Sequence, residues 1–427
     1  MRKILLSLAV LWSMSLGVFA QDHHDHQEHA TESHEHAQEA GEHADEHAQH
    51  TCGCDEAHEA EYDAGATAFH HISDANAFHL FGELYLPLPC ILYAPDHGLS
   101  VFLSSKFHIG HHGTGEKAVD GYVLNHGEVM RVSTPDFPKE EVEIDCILAH
   151  KGDDGHDHYE VVYQGNCFPL DKKTTFDGGL MGGGVTSYYD LSITKNVFTM
   201  MLVFVLLFWL FRAVAKGYQK REGMAPKGVQ SFMEPVFVFI RDEVAIPFLG
   251  PKYEKYLPYL MSIFFFILGL NLIGQIPFFP GSGNVTGNLA VTMTLALFTF
   301  VVTTLNGKKD YWMHIFWMPG VPAWIKVILT PVEILGMFIK PLTLMLRLFA
   351  NITAGHIVII IFVSLIFIFG NAGESIGGSS LGGAMAVPLT LFMMSIELLV
   401  AFIQAFVFCI LSASYIGAAI EEHHEHH

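Results

Sequence analysis

One arginine stands in an otherwise nearly uncharged run, Pro341-Leu-Thr-Leu-Met-Leu-Arg347-Leu-Phe-Ala-Asn351-Ile-Thr-Ala-Gly-His356. Apolar residues fill the stretch from Ile334 to Phe369, so a helix here carries a permanent cation toward the middle of a membrane. Arginine keeps its proton at any accessible pH, and a charge at that depth is costly unless it faces protein or water. Arg347 is therefore a functional candidate by its position alone. Two further ionisable residues share the setting. His356 follows Arg347 by nine residues, about 13 Å along an ideal helix and on its opposite face. In the last apolar stretch, Glu397 precedes Gln404 by seven residues, about two turns and nearly the same face. If the two segments run antiparallel with Gln404 level with Arg347, His356 and Glu397 approach the same depth. A carboxylate and an imidazole placed there can pass protons near neutral pH.

The lesser polar residues carry two readings each. Gln404 and Asn351 suit either an interhelical hydrogen bond or direct proton handling. Asn288 reads as a helix-end or packing polar group. Glu333 and Lys340, nearer the other end of the same span as Arg347, either pair with each other or line an exit path, and the structural role is favoured.

These residues need membrane helices to hold them. Half of the chain is hydrophobic (51%), and the apolar residues are massed after residue 196. Residues 191–427 read as an all-α polytopic membrane domain with five spans, at 197–215, 256–278, 288–305, 328–369 and 388–420. The last two exceed the roughly 20 residues of a perpendicular helix and must be strongly tilted or broken. Residues 229–248 mix apolar faces with Glu234, Arg241, Asp242 and Glu243, which suits an interfacial amphipathic helix. Arg212, Lys216, Lys220, Arg221 and Lys227 follow the first span, and Lys308, Lys309 and Lys326 follow the third; loops 279–287 and 370–387 have no Lys or Arg. The positive-inside bias puts the mature N-terminus in the periplasm and the C-terminus in the cytoplasm, in the inner membrane.

The front part supports that orientation. Met1-Arg2-Lys3, the apolar run Ile4–Leu16 and Val18-Phe19-Ala20 read as a signal peptide over residues 1–20. Residues 21–66 form a His- and acid-rich tract, with no Lys or Arg between 22 and 63, too poor in apolar side chains to order itself. His23, His24 and His26, with Cys52 and Cys54, are candidates for loose binding of Zn, Cu or Ni; a solvated acidic tail is the other reading. Residues 67–190 read as a small β-rich exported domain. Alternation in Glu141–Leu148 and Tyr159–Tyr163 signals strands, and Asn125-His126-Gly127 signals a turn. His108, His111, His112, His156 and His158 read as exposed loop histidines rather than ligands. Five of the six cysteines lie in this exported part, where disulfides persist. An odd number leaves at least one free or paired with another chain. Cys409, in the last span, reads as a packing residue.

The run Leu346-Arg347-Leu-Phe-Ala-Asn351-Ile-Thr-Ala-Gly-His356, together with Gln404-Ala-Phe-Val-Phe, resembles the signature of the a subunit of rotary F-type ATP synthases. Asn271-Leu-Ile-Gly-Gln-Ile-Pro277 and Gly287-Asn288-Leu-Ala-Val-Thr add weaker words, and the likeness covers roughly residues 190–427. It implies that Arg347 faces a ring of c subunits, each with a mid-membrane carboxylate, fed and drained by two aqueous half-channels. The cation would stabilise the ionised carboxylate in transit and bar a direct proton leak. His356 would then face the entry channel. Many bacterial relatives place an acid where this chain has His356 and a histidine where it has Glu397; the exchange keeps one of each. The resemblance further implies b subunits, the F1 sector and the lipid bilayer as partners, no cofactor, and a subunit that is not itself catalytic.

Two rivals come from other classes. A metal-ion transporter with a His-rich exported loop should show intramembrane His/Asp clusters at helical spacing, yet the ionisable pair at depth flanks a fixed arginine. A periplasmic metal-binding membrane protein needs an anchor, not five spans with ionisable groups. The formal charge of −21 argues against nucleic acid as a partner. The Gly-rich segment 177–184 lacks the Gly-Lys-Ser/Thr ending of a phosphate loop.

Overall fold

The computed structural model describes Cys54 and residues 73–81, 84–110, 113–151, 157–175, 184–276, 283–318, 322–370 and 375–421. The signal peptide, and the candidate ligands His23, His24, His26 and Cys52, lie outside these described residues, as do His111, His112 and His156.

Short antiparallel strands build the front domain. They are β1 (Ala77–Phe81), β2 (Leu84–Pro87), β3 (Pro89–Ala94), β4 (Gly98–Leu103), β5 (Lys117–Ala118), β6 (Tyr122–Asn125), β7 (Glu128–Val132), β8 (Val142–Glu143), β9 (Cys146–Lys151), β10 (Asp157–Tyr163), β11 (Asn166–Asp171) and β12 (Tyr189–Asp190). The largest sheet runs β6-β7-β11-β10-β9, a second runs β12-β3-β4, and β1-β2 and β5-β8 pair separately. His126 (φ 46°) and Gly127 (φ 87°) form the two-residue turn between β6 and β7, the positive-φ geometry that matches strand twist. The alternating run 141–148 divides in two. Val142–Glu143 pairs with β5, while Cys146 onward pairs with β10. His158 is a strand residue, directly opposite His150, not a loop residue.

Val161, Ile147, Tyr159 and Tyr163 pack into one core of this domain, so the alternate residues, Cys146, Leu148 and His150, project from the other face. Cys146 is disulfide-bonded to Cys54, and Cys167 is also disulfide-bonded. Cys54 is thereby removed from the candidate metal ligands, since a disulfide sulfur is no thiolate. Cys90 is free and buried, and burial pushes its thiol up to about 12.

The domain is fastened directly to the first long helix, α1 (Lys195–Lys220). The Lys195 amide donates to Ala75 O at 2.9 Å and the Asn196 amide to Asp74 Oδ1 at 3.1 Å. A carboxylate there satisfies an orphan N–H and opposes the positive end of the helix dipole. Phe78 and Phe198 meet edge to face, with centroids 5.4 Å apart.

Beyond α1 come α2 (Val229–Phe239), a π-helical turn (Ile240–Ala245), α3 (Ile246–Leu249), α4 (Tyr253–Gly274), α5 (Leu289–Asn306), α6 (Lys309–Phe316), α7 (Ala323–Phe369) and α8 (Ile376–Ile420). Among the described residues, five helical stretches are long and apolar enough to cross a membrane. The amphipathic segment 229–248 buries Met233, Ile240 and Val244 in the same core as Phe211, Phe264 and Cys409, so it is a packed arm of the bundle.

Of the two alternatives for the last spans, breakage is not what the structure has. α7 is continuous over 47 residues and α8 over 45. At 1.5 Å per residue, each is about 70 Å long, more than twice the roughly 30 Å hydrocarbon core. Pro331 and Pro341 lie within α7 and Pro388 within α8 without ending them.

The loop expected at 370–387 is mostly helix, because α8 starts at Ile376. Its glycines make a tight α7–α8 hairpin possible. A Cβ on Gly382 would sit 2.8 Å from Leu365 O, whereas one on Gly383 would meet nothing within 4 Å. Gly382→Leu is therefore expected to destabilise the protein by about 1–3 kcal/mol, the usual cost of overpacking, and Gly383→Leu to be nearly neutral. Denaturation of both variants in detergent checks this; equal losses would place the contact elsewhere.

Candidate functional site

The site is built on the α7–α8 hairpin, where helical periodicity sorts the polar residues. Leu344, Leu348 and Ile352 are buried and form the inner stripe of α7. Arg347 and Asn351, one turn apart, consequently lie on the outer face, where both are exposed. Among the described residues no carboxylate forms an ion pair with Arg347. The surrounding surface is apolar, with Leu342, Leu346, Ile396, Leu399 and Ile403 exposed. A guanidinium on such a surface is incompatible with lipid and calls for a protein or aqueous partner.

The imidazole and the carboxylate lie inside. His356 Nδ1 is 2.8 Å from Glu397 Oε1, 3.0 Å from Ile352 O, and its Nε2 is 3.1 Å from Gly274 O. Glu397 is only 4% exposed. No hydrogen bond is well aligned at Glu397 Oε1, so this is a close approach that a proton can bridge, not a locked bond. Gly355 makes the room. A Cβ at that position would lie 2.9 Å from Glu397 Oε1. Sequence reasoning passed over this glycine, although a glycine inside an apolar helix signals close approach.

Gln404 is buried on the same inner side of α8 as Glu397. Asn271 of α4 joins the two regions, donating to Ala401 O at 3.2 Å while its Oδ1 accepts from the Thr286 hydroxyl at 2.8 Å. Asn288 caps α5, accepting from the Ala290 amide at 2.9 Å, a helix-end role. More polar atoms converge here than the motifs announced. Asn196, Thr199, Asn271, Asn284 and Thr286 are all buried. Asn196 Oδ1 and Gln275 Nε2 are buried without a hydrogen-bond partner. Unmet polar groups in one region are the usual seats of water. The signal was present as Asn, Gln and Thr recurring within apolar stretches, but no spacing rule united them.

At the other end of α7, no ion pair joins Glu333 to Lys340 among the described residues. Instead, Lys340 lies over the Tyr415 ring, 5.8 Å from its centroid. The two residues line a cleft together with Thr299, Thr303 and Tyr311. Polar groups thus reach into the α7–α8 hairpin at both ends, with Arg347 between them. Among the described residues, no three His, Cys, Asp or Glu side chains converge as a metal cage.

Comparison with known proteins shows the family. A family model described as ATP synthase A chain matches residues 197–417, and one described only as a domain of unknown function matches residues 67–153. ATP synthase subunit a of Chlorobium phaeobacteroides is 40% identical over 57% of this chain and 70% of its own length. That of Myxococcus xanthus is 36% identical over 68% of this chain and 92% of its own. That of Anaeromyxobacter dehalogenans is 34% identical over 80% of this chain and 87% of its own; a match that long reaches into the front β domain. With more than half of its length matched, the chain belongs to the ATP synthase A chain family.

Proposed function

We propose that this chain is the stator subunit of the Fo sector of a rotary ATP synthase, passing protons between two half-channels and the c-ring. The observation that carries the reading is the division of charge across α7. A permanent cation occupies the outer face, and a proton-exchanging pair, His356 and Glu397 at 2.8 Å, lies on the inner side. The buried cluster around Asn196, Asn271, Gln275 and Thr286 is the entry path, with the pair at its inner end. His356 and Glu397 relay the proton toward a c-subunit carboxylate at the outer face. Gln404 and Asn351 position that carboxylate beside Arg347, which favours its ionised form and blocks a continuous water wire because the guanidinium holds its proton. The cleft lined by Lys340 and Tyr415 is the exit path, with Glu333 near its mouth.

The β domain and the N-terminus face the periplasm, and the C-terminus faces the cytoplasm of an inner membrane. The disulfides support export. The c-ring covers the outer face of α7–α8, b subunits and F1 complete the complex, and F1 performs the ATP chemistry. Copurification of c and F1 subunits with this chain tests the assembly. Recovery of the intact chain without them would refute it.

Arg347→Ala is expected to reduce ATP-driven proton pumping in reconstituted vesicles to background while the complex still assembles. Arg347→Lys should fail largely as well, because a buried ammonium can discharge and lacks the planar fork. Pumping at the parental rate in either variant would sink the channel assignment.

Loss of either relay partner, His356→Leu or Glu397→Leu, should slow proton entry by about a hundredfold, within the usual range for a proton-transfer group. The exchange His356→Glu with Glu397→His should recover part of that flux. A double variant no faster than the slower single one would count against direct coupling.

A further inference from the structure

Behind the cleft of Lys340 and Tyr415 lies a buried set of hydroxyls contributed by three helices. Tyr259 comes from α4, Thr299 from α5 and Ser412 from α8, and all three are buried. The Tyr259 hydroxyl is 2.9 Å from Thr299 Oγ1, and Ser412 Oγ is 3.5 Å from that same oxygen. Thr299 lines the cleft, whereas Tyr259 and Ser412 do not. One hydroxyl therefore reaches the cleft and two stand behind it.

Each hydroxyl has a single hydrogen to donate, and the contacts show where each one goes. Ser412 donates to Phe408 O at 2.8 Å. On α5, Thr303 donates to Thr299 O at 2.8 Å and Thr304 to Phe300 O at 2.9 Å. These are firm bonds back to the preceding turn, the usual habit of Ser and Thr inside a helix. Thr299 differs. The acceptors within its reach are Leu295 O at 3.2 Å and Ser412 Oγ at 3.5 Å, both beyond the range of a strong O–H···O bond. With the Ser412 hydrogen engaged at Phe408 O, the Tyr259 phenol is the donor that grips Thr299 Oγ1. The oxygen of Thr299 is thus fixed in place while its hydrogen is weakly held. A hydroxyl of that kind can accept a proton on one side and release one on the other. We propose that Thr299 passes protons within the cleft and that Tyr259 is its positioning residue, an inference that rests on the cleft being the exit path.

The depth of Thr299 agrees with this role. It lies seven residues before Asn306, the last residue of α5, about 10 Å inward along the helix. Thr303, one turn nearer that end, lines the same cleft with Tyr311. Hydroxyls one turn apart are about 5–6 Å from each other, a gap that one bridging water spans. Ala296, Phe300 and Leu344 also line the cleft and supply no polar side chain. Thr299 is the deepest hydroxyl that α5 offers to it.

The test measures proton flux per assembled complex in vesicles carrying the whole reconstituted complex. Thr299→Val removes the hydroxyl at nearly constant volume and is expected to slow flux by about a hundredfold, the lower end of the usual contribution of a proton-transfer group. Thr299→Ser keeps the hydroxyl and should restore most of it. Tyr259→Phe should slow flux by up to about tenfold, the worth of one lost hydrogen bond. Thr304→Val, on the same helix but outside the cleft lining, should keep the parental rate. A hydroxyl that only joins helices would instead give lower thermal stability with parental flux in Thr299→Val. That result, or equal losses in Thr299→Val and Thr299→Ser, would overturn the proposal. Where Thr299→Val does not assemble, Tyr259→Phe decides, and parental flux there would overturn the positioning role. Arg347→Ala separates the levels: background pumping in it, with parental flux in Thr299→Val, removes this inference alone, whereas pumping in Arg347→Ala removes the channel reading beneath it.

Discussion

A guanidinium that cannot lose its proton dictates the arrangement of this hairpin. Arg347 must be kept from lipid, yet Leu344, Leu348 and Ile352 already fill the inner stripe of the same helix. The cation is thus left on the outer face, and only a polar surface supplied from outside the chain can satisfy it. The His356–Glu397 pair is separated from it by the body of the helix. They are held by contacts that depend on close approach, with Gly355 admitting the Glu397 carboxylate and the Gly274 carbonyl receiving His356 Nε2. Arg347 on the outer face of α7 and the Glu397 carboxylate, which α8 holds on the inner side, are thereby kept apart.

Length contributes to the same end. Helices of 47 and 45 residues are more than twice as long as a hydrocarbon core is thick, and together they present a long apolar outer surface. α1, α4 and α5 do the opposite work. They bury Phe264, Phe266 and Leu295 in a dense core, and α4 brings Asn271 against the hairpin, where it donates to Ala401 O. The bundle is densely packed on one side and open, with an exposed apolar face, on the other.

Much of this was legible in the chain, for physical reasons that also mark the limits. Arg347 and Glu397 stand out because charge in an apolar run is expensive, and helical arithmetic brings His356 to the depth of Glu397 once Gln404 is set level with Arg347. The turn at His126-Gly127 was legible because few residues tolerate positive φ. The start of α8 was not. A run containing Gly377, Gly378, Gly382 and Gly383 reads as a loop by propensity, and only the tertiary contact with α7, where small residues permit backbone approach, makes it helical. The polar cluster was missed because its members come from α1, α4 and the segment before α5, and no local pattern links them. The partner of Cys146 was unreadable for the same reason: 92 residues separate it from Cys54. The His150–His158 pairing depends on strand register, which a sequence sets only through the faces it buries.

The way the β domain joins the bundle connects these levels. Asp74 reaches from the segment before β1 to cap α1 at Asn196, and the side-chain Oδ1 of that same Asn196 is one of the buried atoms without a partner. Gly283, in the segment that leads to Asn288, lies so close that a Cβ there would be 3.2 Å from Asn196 Oδ1 and 2.7 Å from the Thr199 hydroxyl. The front domain thus fixes the helix end that borders the polar cluster, and does so through backbone amides, whose geometry is far stiffer than that of long side chains. A displacement of Asp74, three residues before β1, would be passed directly to the Asn196 amide. On this architecture, the β domain is mechanically part of the wall of the polar region it adjoins.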